Sequence, residues 1–93
     1  MELSDEILME MSYVRISKYR TEVIKDLLGK VIIPSHIARD TGIRTNHVSK
    51  VLGDLMEHGL VECINPEVRK GRLYRLTEKG ELVSKNIDDE DFF

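Results

Sequence analysis

Apolar positions recur along this chain first at helical spacing and later at strand spacing. Leu3, Ile7, Leu8 and Met11 fall on one helical face and predict a helix over residues 2–12. That face either lies on the domain's own core or meets a second copy. Residues 13–16 read as a break between helices. Ser17 is placed to cap a second helix, whose stripe is Tyr19, Val23, Ile24, Leu27 and Leu28, with Gly29 as the stop. The β-branched run over residues 30–33 reads as extended. Pro34 suits the first turn of a third helix, where its missing N–H is not needed. Ile37 and Ala38 point inward there. Gly42 then permits a left-handed turn, with Ile43 plugging the junction beneath it. Thr45 is expected to cap a fourth helix, in which Val48, Val51, Leu52, Leu55 and Met56 form a buried stripe that Gly59 ends.

The periodicity changes to two after Gly59. Residues 60–64 and 73–76 read as strands, and Asn65-Pro66 and Gly71 bound the connection between them. The pair is a β-hairpin with its loop over residues 65–72. Thr77 caps a last helix, with Leu82, Val83 and Ile87 facing in. The short third helix, the glycine turn and the one-faced fourth helix form a helix-turn-helix. Followed directly by a hairpin, they predict an α+β, mostly helical fold: a winged helix-turn-helix, with a three-helix core, a two-stranded wing and flanking N- and C-terminal helices. A single domain is expected over residues 1–87, with an acidic, disordered tail over 88–93.

Charge changes the picture more than composition does. The 93-residue chain has a net charge of −3, which argues against a nucleic-acid partner until its distribution is considered. Residues 13–87 hold all 14 basic residues against 9 acidic ones, a local balance of +5. The remaining acids sit at the two ends. Screening acts over about 8–10 Å at physiological salt, so a distant acidic tail does not cancel a basic face. The single cysteine, Cys63, excludes an intramolecular disulfide framework and a cysteine-based zinc finger, and suits a reducing compartment. It reads as a small buried or half-buried residue before it reads as a sensor. No apolar run approaches the roughly 20 residues of a membrane span. The acidic N-terminus is unlike a signal peptide. The expectation is a cytoplasmic protein with no membrane partner.

Three motifs carry a resemblance. Ala38, Gly42, Val48 and Val51 match the helix-turn-helix pattern of a small residue at the helix crossing, a glycine turn and apolar locking residues. His58-Gly-Leu-Val-Glu-Cys resembles the junction from recognition helix to first wing strand. Lys70-Gly-Arg-Leu-Tyr-Arg-Leu-Thr-Glu-Lys-Gly resembles the second wing strand and the start of the next helix. Together, over about residues 17–86, they resemble archaeal winged helix-turn-helix transcriptional regulators of the ArsR/MarR type. The resemblance implies double-stranded DNA as partner. The weak DNA binding expected of a lone domain of this size asks for a homodimer on two half-sites, although the dimer mode stays open because the long terminal dimerisation helices of larger MarR-type proteins have no counterpart here. The helix over residues 2–12 and the last helix are candidates for the dimer contact. The cysteine pair that metal-sensing members carry on the first helix of the motif has no counterpart here, so no metal or other cofactor is expected.

With its apolar stripe inward, the fourth helix turns Asn46, His47, Ser49, Lys50, Gly53 and Asp54 outward. Asn46 can read adenine by donating and accepting at once. His47 can do either in the groove, and Ser49 and Lys50 can reach phosphate or a guanine edge. Arg44 and Thr45 stand at the helix N-terminus, where backbone N–H groups favour a phosphate oxygen. The hairpin loop offers Arg69, Lys70 and Arg72 to a minor groove or flanking phosphates. Ser17, Lys18, Tyr19 and Arg20 are candidates for further phosphate contacts, with a capped, solvated helix start as the leading reading of that segment. The same fold also serves as a protein-interaction module in larger assemblies, and the cationic recognition face argues for DNA over that use. His36, His47 and His58 recur every 11 residues, but His47 and His58 stand about 16 Å apart along one helix and cannot share a metal. His36 and His58 read as surface residues. There is no phosphate-binding glycine loop and no nucleophile–base set, so an enzyme is not expected.

Overall fold

Helix α1 begins where Ser4 Oγ accepts the Ile7 N–H at 3.2 Å and runs over Asp5–Arg15. In this computed structural model, which describes residues 3–87, α2 spans Lys18–Leu27, α3 Pro34–Thr41, α4 Thr45–Glu57 and α5 Glu78–Ile87. Strands β1 (Val61–Cys63) and β2 (Tyr74–Leu76) pair antiparallel, with Val61 opposite Leu76 and Cys63 opposite Tyr74. Ile32 adds an isolated bridge to Tyr74, so the extended run before α3 lies against the hairpin as a one-residue third strand. The order and type of the elements are those the sequence predicts. The acidic tail, with Phe92 and Phe93, lies outside the described residues, as does the first residue of the predicted opening helix.

The core is aliphatic. Val14, Val23, Ile24, Leu27, Ile37, Val48, Leu55, Leu60 and Val83 are fully enclosed, and Leu52 nearly so. These residues come from every helix, so each amphipathic face finds the same interior. Ile43 is buried under the turn, as expected, and Gly42 takes φ +77° as the αL cap of α3. One buried polar side chain fastens α5 to α2: Ser84 Oγ donates to the Ile24 carbonyl at 2.9 Å. That carbonyl stands near the end of α2, where the Leu28 N–H turns to Lys25 instead. Ser84 thereby supplies the bond the helix terminus lacks.

The structure corrects several expectations. Residues 13–15 are no break, because α1 continues to Arg15. Val14 extends the buried series of Ile7 and Met11 by one more turn, and that burial outweighs the weak helix propensity of Tyr13 and Val14. Leu8, Tyr19, Met56 and Leu82, all predicted inward, are exposed. Each flanks a stripe that is already complete: a small domain has room for a narrow apolar face and no more. Thr45 does not cap α4. Arg44 holds the extended cap position, and Thr45 is the first helical residue. The preceding helix secures the turn instead, with Thr41 Oγ1 donating to the Ile37 carbonyl at 2.7 Å and accepting the Ile43 N–H at 3.2 Å. Ser17 and Thr77 do cap as expected, accepting from Arg20 N–H and Gly80 N–H.

Candidate nucleic-acid interface

Helix α4 divides sharply by exposure. Val48, Val51, Leu52 and Leu55 are buried, and Thr45, Asn46, His47, Ser49, Lys50 and Gly53 are exposed. These six positions share one flank, with Met56 and Glu57 also exposed toward the helix end, because α4 is packed by α2 and α3 from the other side. Arg44 is exposed at the head of this flank. No side chain caps the helix start, so the first N–H groups of α4 are left to external acceptors.

The flank is partly organised by its neighbours. The Tyr19 ring meets His47 edge-on, centroids 5.4 Å apart at 63°. The start of α2 thus stands next to this exposed flank of α4, and Tyr19 lies against it and outside the core. Asp54 lies between two cations, 3.7 Å from Lys50 and 3.8 Å from Arg20. Lys50 remains 77% exposed despite that contact. Arg20 is committed inward: its Nη1 donates to the Tyr13 carbonyl at 3.0 Å and its guanidinium lies 3.9 Å from the Tyr13 ring centre.

The hairpin loop is built around two side chains. Asn65 closes its neck: Oδ1 accepts the Leu73 N–H at 2.7 Å, and Nδ2 donates to the Gly71 carbonyl at 3.1 Å. Arg72, exposed like Arg69 and Lys70, reaches across the loop, with Nε donating to Val68 O at 2.8 Å and Nη2 to Pro66 O at 3.2 Å. Gly71 sits at φ +74°, a conformation that glycine adopts without strain. Arg69 and Lys70 are exposed at the tip. Arg75 is outward, as expected, and pairs with Glu62 across the ladder at 2.7 Å. Cys63 is half-buried, its Sγ 3.6 Å from Asn65 Oδ1.

His58, expected on the surface, caps α4 and lies against α1. Its ring stacks on Tyr13, and Nδ1 pairs with Glu10 Oε1 at 2.7 Å. Lys79 of α5 reaches both Glu10 and Glu6 at 3.1 Å. An open cleft of about 470 Å³ beside them is lined by Glu6, Met9, Glu10, Tyr13 and His58. Nothing local in the sequence marks this cluster, since its members come from residues 48 and 73 positions apart. No group of three or more His, Cys, Asp or Glu side chains among the described residues is arranged to hold a metal ion.

No protein-family model matches the chain, and no curated protein does. Among solved structures it is similar to NadR in complex with 4-hydroxyphenylacetate, with a TM-score of 0.68 at 20% identity. The match covers 87% of this chain and 62% of the NadR chain. At that identity the likeness establishes the winged helix fold, and this chain spans less than two thirds of its neighbour's length. No helix among the described residues is long and apolar enough to cross a membrane.

Proposed function

We propose that the protein is a transcriptional regulator of the ArsR/MarR type that binds double-stranded DNA sequence-specifically, with α4 in the major groove and the wing on the minor groove or flanking phosphates. One observation carries this reading: α4 buries Val48, Val51, Leu52 and Leu55 and leaves Asn46, His47, Ser49 and Lys50 exposed behind an uncapped, Arg44-headed N-terminus. Arg44 and Thr45 meet phosphate at the helix start, and Arg69 and Lys70, with the charge of Arg72, meet the flanking backbone. Each phosphate neutralised contributes about −0.9 to the slope of log affinity against log salt.

A lone domain of this size buries about 600–1,000 Å² on DNA and binds weakly. The working form is therefore a homodimer on two half-sites about one helical turn apart. The exposed Leu8 and Met9 of α1 and Leu82 of α5 support contact through these helices. Sedimentation at tens of micromolar tests it: monomer alone, with one-to-one DNA binding, removes the dimer. The protein acts in the cytoplasm, as a binding protein and not an enzyme.

The test is selection of bound duplexes from a random pool, with Asn46→Ala and Arg69→Ala beside the parent protein. Direct groove reading predicts loss of base preference with the first and a uniform loss of affinity with the second. A parent protein that enriches no sequence, or ignores duplexes in dilute buffer, overturns the proposal.

A further inference from the structure

We infer that Arg72 is a positioning residue: its guanidinium ties the wing loop across its middle, and phosphate contact falls to Arg69 and Lys70. The inference refines the DNA-binding reading and rests on it for the contact it assigns to the tip. Among the three basic residues of the loop, Arg72 differs in where its donors go. Nε and Nη2 are directed to the carbonyls of Val68 and Pro66, two residues apart on the opposite arm of the same loop. The planar fork holds its donors in fixed directions toward these two acceptors; a lysine ammonium in that place is a point charge on a flexible stem, with no preset direction for its donors.

Arg72 does not act alone. Asn65 bonds Gly71 O and the Leu73 N–H, flanking Arg72 on both sides and fixing the backbone from which its side chain departs. The Val68 N–H returns to the Asn65 carbonyl at 3.2 Å and closes the turn on the other arm. The eight-residue loop is thus tied at its neck and across its middle, with Arg69 and Lys70 left at the tip. A loop ordered before it meets DNA does not lose its conformational freedom on binding, so the tip cations act at full strength. Val68, which sequence reading leaves without a role, supplies one of the two acceptors.

The experiment uses the full chain with wild-type, Arg72→Lys, Arg72→Ala and Arg69→Ala/Lys70→Ala proteins, and the triple variant with Arg72→Ala added. Backbone ¹⁵N relaxation of the free proteins reads wing order. Titration of one selected duplex at several salt concentrations reads contact. The expected result is a rigid wild-type loop over residues 66–71 that becomes mobile in both Arg72 variants while the thermal midpoint stays close to wild type. Arg72→Lys, although it keeps the charge, then loses affinity like Arg72→Ala. The salt slope falls by up to about 1.8, the share of two phosphates. Adding Arg72→Ala to the Arg69→Ala/Lys70→Ala protein costs less than twofold, because there is no tip contact left to position.

Arg72→Lys binding as wild type, or a further slope loss of about 0.9 in the triple variant, makes Arg72 a direct phosphate contact and overturns the inference. A wild-type wing already mobile overturns it whatever the DNA result. If the wild-type protein ignores duplexes and its loop is rigid only with Arg72, the DNA reading falls, the contact assigned to the tip falls with it, and the folding role of Arg72 stands.

Discussion

Tyr13 stacks on His58 with ring centroids 3.6 Å apart and planes within 11° of parallel, joining α1 to the C-terminal cap of α4. The guanidinium of Arg20 lies 3.9 Å from the same ring and must take its other face. Burial pushes the Tyr13 phenol above its ordinary value; Arg20 opposes that shift, and Asp54, Glu57 and Glu10 add to it. Helix α4 is therefore fastened at its end by an aromatic layer that draws on three helices. Aromatic pairs contribute about 0.5–1.5 kcal/mol beyond their area. A double-mutant cycle of Tyr13→Leu and His58→Ala, followed by urea unfolding, should show a coupling of about 1 kcal/mol. Additive losses would mean that the two rings merely share a cavity.

The acid side of the stability curve should depend on Glu10. Burial works against its charged form, but hydrogen bonds from His58 and Lys79 outweigh burial and hold the carboxyl below its ordinary 4.5. A carboxyl lowered in the folded state binds its proton less readily there than in the unfolded chain. Its contribution is present above pH 4.5 and is lost as the pH falls through the lower folded value. Glu10→Gln should reduce stability at pH 7 and flatten the decline below pH 4.5, measured as urea midpoints between pH 3 and 7. An unchanged acid limb would show that other carboxyls set it.

Two helical glycines should respond oppositely to alanine. A Cβ on Gly80 would run into the backbone carbonyl of Leu60, which is already held by the Thr77 N–H. The clash is with main chain that cannot swing aside, so Gly80→Ala should cost about 3 kcal/mol. A Cβ on Gly53, in the exposed flank of α4, meets nothing within 4 Å. Gly53→Ala should therefore stabilise the fold by about 0.5–1 kcal/mol, the ordinary helical preference for alanine. Denaturant titrations of both variants check the signs. If the α4 backbone approaches DNA closely at this point, the stabilised Gly53→Ala protein also binds its duplex more weakly.

Those glycines also show what the sequence made legible. Gly80 follows Thr77 at the spacing of a capped helix start, and the structure gives the reason: Thr77 Oγ1 accepts the Gly80 N–H and donates to Gly59 O, drawing α5 against the end of α4. Caps, glycine stops and apolar spacing are local, so Ser17, Gly42 and the stripe of α4 could be read directly. His58 could not. Its partners Glu10 and Tyr13 lie more than 40 residues earlier, and a lone histidine before a helix-ending glycine has the appearance of a solvated residue. Tyr19, Met56 and Leu82 misled for the converse reason: periodicity marks which side of a helix is apolar, but only the packed neighbours decide where the buried face stops. At the candidate interface, the exposed flank of α4 followed from spacing alone. The turn of the Arg72 guanidinium back across the loop depends on loop carbonyls that no pattern of side chains records.

Asp54 should limit affinity for DNA, and removing its charge should raise it. Its carboxylate stands at the edge of the recognition flank, 3.7 Å from Lys50, and draws on the cation that phosphate would otherwise use. Two unit charges about 4–8 Å apart in water interact by roughly 0.5–1 kcal/mol. Asp54→Asn keeps the side chain's shape and should tighten duplex binding about two- to fivefold in dilute salt. The gain should shrink as salt rises, because screening shortens the reach of the lost repulsion. Stability should change little: Arg20 keeps its bond to the Tyr13 carbonyl and its place over the ring, and its 3.8 Å contact with Asp54 is a long one. Fluorescence titration of one labelled duplex at 50, 150 and 300 mM salt (screening lengths of roughly 14, 8 and 6 Å) separates the outcomes. Affinity unchanged at every salt would place Asp54 away from the bound backbone. A loss of affinity would mean that the Lys50–Asp54 pair aims the lysine at DNA instead of restraining it.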